Sequence, residues 1–187
     1  MEDRRIRKTK KAITIAFAEL MTEKEIQNIT VKELAEKADI HRATFYCHYQ
    51  DVYSLYDEIK QVVIDELNSI LVKNTSHNYE LTFARIAEYA LKNKAVVKML
   101  LCGENCGEFQ KELSALIEQK YLEISEYEEN INKLPEAWEY VARYHIQGLV
   151  ALIAKWIEND MKYPVTKLIK MINNIDLCID TVYEKIK

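Results

Sequence analysis

The sequence predicts an all-α chain, and three observations carry that prediction. About half of the 187 residues are apolar (49%), yet only three glycines and two prolines interrupt them, so little breaks long helices. Apolar residues recur at three- and four-residue spacing along most of the length. Alternating, β-branched runs bounded by turn residues, the mark of strands, are nearly absent. At this length the chain holds one to two domains and buries a real core.

The first helix is expected from about Arg4 to Met21, with Ile6, Ile13, Phe17, Leu20 and Met21 on one stripe. At its start Arg4, Arg5, Arg7, Lys8, Lys10 and Lys11 form a basic arm opposed only by Glu2 and Asp3. Formal charge is −4, and residues 1–60 balance at eleven Lys/Arg against eleven Asp/Glu. The arm is therefore a local electrostatic footprint on an otherwise acidic protein, placed to approach phosphates or a minor groove.

Residues 29–56 are the most informative stretch, two short helices joined by a tight turn and the start of a third. Thr30 and Glu33 have the spacing of a capping box, and Ile29 and Leu34 that of a hydrophobic staple. Leu34, Ala35 and Ala38 give the first helix its apolar face, and Ala38-Asp39-Ile40-His41 makes the turn. The second helix, at about 41–49, carries Phe45 and Tyr49 inward at i and i+4. That leaves Arg42, Ala43, Thr44, Tyr46, Cys47 and His48 for another surface, where they can donate to phosphates or touch base edges. The pattern is a helix-turn-helix with its reading helix at 41–49.

Asp51 is positioned to cap the next helix, which continues through Leu55, Tyr56, Ile59, Val63, Leu67, Ile70 and Leu71 to about Val72. It is too long for a small DNA-binding bundle alone and reads as a mechanical link. Lys73 to Asn78 is the clearest loop. Further helices are expected at about Tyr79–Lys92, Lys94–Cys102 (ended by Gly103) and Glu108–Glu129. Pro135 starts another, reaching Glu158, and Pro164 starts the last. Both are broadly apolar, from Trp138 to Ile157 and from Val165 to Ile186. Periodicity alone does not separate their core face from an interface.

The residues from Ile6 to Leu55 resemble the TetR-type transcriptional regulators. Thr30-Val31 opens the first motif helix as in that family. Ala38-Asp39-Ile40-His41 stands where the family usually has Ala-Gly-Val-Ser. Thr44-Phe45-Tyr46-Cys47-His48-Tyr49 stands where it has Thr-(Leu/Phe)-Tyr-x-(His/Tyr)-Phe. Roughly the first third of the chain carries the resemblance, and the segment from Tyr144 to Asn159 looks like the C-terminal domain of one TetR subgroup. Three positions depart from the pattern. Asp39 replaces the turn glycine, although Asp tolerates the left-handed conformation. His41 replaces a Ser that caps better. Val52 stands where a phosphate-contacting Lys is common.

The resemblance implies a three-helix DNA-binding domain at 1–50 and a larger helical ligand-binding and dimerisation domain at 51–187. It implies a homodimer through the last two helices, with Gly148 and Ala151 permitting close approach, on a palindromic double-stranded operator. Arg42 would be bidentate to guanine and Ala43 would meet a thymine methyl. Thr44, Tyr46 and His48 would hold phosphates, as would the Thr30 hydroxyl or the amides beside it. Arg4, Arg5, His41 and Cys47 complete the expected contact surface. An unidentified small-molecule effector would bind among Tyr89, Met99, Phe109, Leu113, Tyr121, Trp138, Tyr144 and His145 and shift the linking helix. Those residues also read as ordinary core.

The expected function is a ligand-responsive repressor. The alternative is a TetR-fold sensor that works through a protein partner. An enzyme is not expected, because Gly-rich phosphate loops, nucleophile elbows and His-Glu-x-x-His are absent. Cys102 and Cys106 lack nearby Cys or His to complete four ligands, so neither metal nor cofactor is expected. No apolar run approaches the ~18 residues of a membrane span, and no secretory signal is read at the N-terminus. With four cysteines in no framework spacing, a reducing cytoplasm is the expected location.

Overall fold

The structure, a computed structural model, describes residues 4–73, 79–103, 106–130 and 132–186. Among them the regular structure is helical throughout: α1 (Arg4–Leu20), a 3-10 turn (Ile26–Asn28), α2 (Val31–Lys37), α3 (Arg42–Tyr46), α4 (Val52–Val72), α5 (Tyr79–Lys92), α6 (Lys94–Cys102), α7 (Cys106–Glu129), α8 (Glu136–Glu158) and α9 (Val165–Ile186). Glu2, Asp3, the expected loop at 74–78 and residues 104–105 between the two cysteines lie outside the described residues.

The first three helices fold as a small bundle around Ile13, Phe17, Leu34, Phe45 and Leu55, each without measurable exposure. Helix α1 reaches back to Arg4, so the described part of the basic arm is its solvent-exposed first turns rather than an extended segment. Ile6, expected on the buried stripe, is exposed with those turns. Helix α2 is capped by Thr30, whose Oγ1 accepts from the Glu33 amide at 3.2 Å. The Glu33 carboxylate takes the Lys24 ammonium at 2.5 Å, so that side chain is spent on an ion pair rather than on the reciprocal capping bond. Asp39 does adopt the left-handed conformation, at φ 54°. His41 sits at the N-cap of α3 with no side-chain capping bond, as its chemistry predicts.

Helix α3 is shorter than the sequence suggests: regular helix ends at Tyr46, and a turn brings Tyr49 inward. Helix α4 then starts on a full capping box. Asp51 Oδ1 accepts from the Ser54 amide at 2.8 Å, and Ser54 Oγ accepts from the Asp51 amide at 3.1 Å. Glu58 on α4 ties the bundle together, receiving Lys10 of α1 at 3.1 Å and the Tyr49 hydroxyl at 3.2 Å.

The second half wraps α5 to α9 around the distal part of α4. Helix α6 lies between the two halves, packing on α1 as well as on α7 and α8. One continuous buried cluster therefore runs from Ile13 to Ile172, and Leu134, Trp138 and Tyr183 form a small separate one. Gly103 ends α6 because a Cβ there would stand 2.5 Å from the Met99 carbonyl oxygen. Between α8 and α9, Asp160 and Met161 are both left-handed, at φ 55° and 57°. Lys98 of α6 holds the Asp160 carboxylate at 2.8 Å and Lys94 donates to its carbonyl at 3.2 Å. No described helix is long and apolar enough to cross a membrane.

Candidate nucleic-acid interface and effector cavity

The helix-turn-helix positions its outer face by anchoring its inner one. Phe45 and Tyr49 are buried with ring centroids 5.5 Å apart, which fixes the roll of α3. With that roll set, His41, Arg42, Ala43, Tyr46 and Cys47 are exposed, and Thr44 and His48 are half-buried. Tyr46 is 59% exposed while its ring meets Phe45 edge-to-face at 5.6 Å, so an exposed phenol stands on a braced ring. Thr30 is exposed at the start of α2, and its hydroxyl hydrogen is free to donate because the oxygen acts as acceptor in the cap. Arg4 and Arg5 are exposed on the first turn of α1. Val52 is buried at the first turn of α4, so it serves the bundle and offers nothing to a phosphate.

A cavity of about 120 Å³ lies between α4 and the helices α5 to α9. Of the eight residues expected there, the structure brings Tyr89, Phe109, Leu113, Tyr121 and His145 to its wall. Three are elsewhere. Met99 is buried on another face of α6 from Val97 and Leu101, which do line the cavity. Trp138 belongs to the small cluster, its ring tilted against Tyr183 with centroids 4.6 Å apart. Tyr144, one position around α8 from His145, is 76% exposed and flanks an outer groove between α8 and α9. A hundred degrees of helix rotation per residue separates these neighbours, and aromatic character says nothing about rotation.

Asp176 is a buried acidic wall residue that sequence reasoning missed. It is 2% exposed, and its Oδ1 is hydrogen-bonded to His145 Nε2 at 2.8 Å. The available signal was its spacing: Asp176 falls four residues after Ile172 and seven before Tyr183, on the buried stripe of α9. Burial, helped by the Glu66 charge, pushes the Tyr89 hydroxyl up to about 12, so this wall phenol is neutral.

Cys102, at the end of α6, is held as a thiol. Burial, with the Glu158 charge adding to it, pushes the Cys102 thiol up, and its Sγ donates to the Ala154 carbonyl at 3.4 Å. No group of three or more potential metal ligands occurs among the described residues.

A helix-turn-helix with an exposed reading face, joined by α4 and α6 to a cavity-bearing helical bundle, defines a one-chain regulator in architecture. Residues 77–175 match the TetR-type family model described as "Transcriptional regulator C-terminal region". The chain belongs to the TetR family of transcriptional regulators, not to an enzyme class. It is similar to the uncharacterized HTH-type transcriptional regulator YxbF of Bacillus subtilis (strain 168), 23% identical over 152 residues. That match takes in 78% of this chain but only 38% of the relative, so the chain spans well under half of that protein's length. Among solved structures, a tetR-family transcriptional regulator from Streptomyces coelicolor superposes with a TM-score of 0.71 at 14% identity, covering 100% of this chain and 85% of that one. The dihydroxyacetone kinase operon activator DhaS gives 0.61 at 20% identity, covering 91% and 94%. At such identities the two structures speak for the fold alone.

Proposed function

We propose that the chain is a sequence-specific DNA-binding regulator that acts as a homodimer on a palindromic operator and answers to a small molecule in the cavity. The observation that carries this reading is the α3 surface. Five consecutive-turn residues, His41, Arg42, Ala43, Tyr46 and Cys47, are exposed on a helix whose opposite side is locked by Phe45 and Tyr49. Arg42 reads a guanine, Ala43 a thymine methyl, and Thr30, Thr44, Tyr46 and His48 hold phosphates, with Arg4 and Arg5 adding charge beside them.

The dimer reading rests on the outer faces of α8 and α9. Tyr140, Tyr144, Ile175, Leu177 and Val182 are exposed there, and a Cβ on Gly148 would meet open space in the single chain. A second copy covering that face sets two reading helices roughly 34–36 Å apart or a related distance. Residues 1–50 then serve DNA and 51–187 serve the ligand and the partner copy. Coupling has two routes. Helix α4 carries Val63 and Leu67 to the cavity, and α6 touches the cavity through Val97 and Leu101 while packing on α1. Repression is the simplest output of such a dimer, and a cytoplasmic site of action accompanies operator binding.

Buried Val52 favours a second reading, a sensor working through a protein partner, because the start of α4 lacks a phosphate contact. Selection of bound sequences from random duplex DNA at near-physiological salt separates the two. One enriched palindrome, with binding that falls steeply with salt, supports the operator-reading dimer. A folded dimer that enriches no sequence sinks it in favour of the partner-dependent sensor.

A further inference from the structure

The cavity has two unlike ends. Toward α4, α5 and α6 its wall is hydrocarbon, with Val63, Leu67, Phe83, Val97 and Leu101. Toward α7, α8 and α9 stand Tyr121, His145 and Asp176. His145 Nε2 and Asp176 Oδ1 are hydrogen-bonded at 2.8 Å, and neither His145 Nδ1 nor Asp176 Oδ2 has a hydrogen-bond partner although both atoms are buried. In the neutral imidazole that bond fixes the tautomer and leaves Nδ1 a bare acceptor. This end of the wall, shared with the outer groove between α8 and α9, therefore carries an unpartnered carboxylate oxygen and an unpartnered ring nitrogen beside the Tyr121 phenol. A buried carboxylate oxygen without a donor is costly, and a ligand that donates there recovers the loss. Tyr121 stands edge-to-face with His145 at 6.1 Å, adding an aromatic surface beside the pair. Lys120, a cation on this wall, is held by Glu123 at 2.6 Å, so its charge is already balanced.

We propose that the effector of this cavity is a lipophilic amine, with its hydrocarbon body toward α4 and α6 and its ammonium donating to Asp176 Oδ2 and His145 Nδ1. An ammonium supplies several N–H donors and also balances the carboxylate, which a hydroxyl does not. An anionic head meets Asp176 across a dry wall and is rejected. The cavity, at about 120 Å³, suits a body near the size of a benzene ring, since an apolar cavity of roughly 150 Å³ holds benzene. This assignment rests on the cavity being the effector site, and its test does not depend on DNA.

The test is calorimetric titration of the full chain at neutral pH with three molecules of one shape: 2-phenylethylamine, 2-phenylethanol and phenylacetate. The amine is expected to bind about tenfold or more tighter than the alcohol, and phenylacetate weakest. Asp176→Asn is expected to remove the advantage of the amine over the alcohol while leaving the alcohol's affinity within about threefold. Equal or tighter binding of phenylacetate overturns the proposal, as does binding by none of the three or an amine preference that survives Asp176→Asn. If that variant does not fold, the ranking of the three molecules on the native chain decides alone. Operator affinity is measured separately with and without the amine. Tight amine binding that leaves operator affinity unchanged overturns the effector role and keeps the amine assignment.

Discussion

The two halves of this protein differ in how completely they satisfy their own polar groups. In the helix-turn-helix, the Thr30 cap, the Asp51–Ser54 box and the Glu58 contacts to Lys10 and Tyr49 are all made within about sixty residues. Among the described residues, the buried side-chain atoms lacking a partner begin only at Asn68 and continue with Ser114, Trp138, His145 and Asp176. The helix-turn-helix end is closed by local chemistry. In the second half only the His145 and Asp176 atoms of this set belong to the cavity wall, and incompleteness there gives a ligand something to stabilise. A ligand shifts a two-state protein only by its differential affinity for the states, and unpaired buried acceptors are where such a difference is largest.

The largest expected effect falls on the helix-turn-helix end. Phe45→Ala removes a ring with no exposure and is expected to cost ~3–5 kcal/mol in chemical denaturation, loosening α3 before the C-terminal bundle melts. Overpacking sharpens the contrast. Leu34→Phe inserts volume into a closed bundle and is expected to cost about 1–3 kcal/mol. Leu113→Phe inserts the same volume at the cavity wall, where space exists, and is expected to change stability by less than about 1 kcal/mol while abolishing ligand binding. Equal penalties from the two would mean that the cavity is closed in solution.

Arg42→Ala leaves the fold intact because Arg42 is exposed, and is expected to weaken the best operator by ~1–3 kcal/mol and flatten preference at one base pair. An equal loss on every sequence would make it a backbone contact. The smallest effect is alkaline and belongs to the other end. Burial pushes Tyr89 up to about 12, with Glu66 adding to it, and burial pushes Tyr183 up to about 12 against a hydrogen bond from Tyr121. Unfolded tyrosine ionises near 10, so the folded state holds these protons longer. Their stabilising contribution is full below pH ~10 and is lost as pH climbs toward 12. Denaturation midpoints should fall across that window, and less steeply in Tyr89→Phe and Tyr183→Phe.

The sequence by itself determined what depends on neighbours along the chain. Caps, turns and helical stripes are interactions over three or four residues, so Thr30, Asp39, Asp51, Phe45 and Tyr49 were legible with their roles, and the helix boundaries of α5 and α6 with them. The same locality explains why the motif resemblance was readable at Ile6–Leu55, while the family model matches residues 77–175. What only the tertiary structure decided is the rotation of long helices against one another. Trp138, Tyr144 and His145 share one apolar-looking helix, yet one joins a small satellite cluster, one faces solvent and one meets a buried carboxylate from α9, thirty-one residues on. Rotation about a helix axis is set by the summed packing of several neighbours, and no window of sequence contains those neighbours. The Asp176–His145 pair and the placement of α6 against α1 belong to that class, because each needs two distant segments to be brought face to face before it exists.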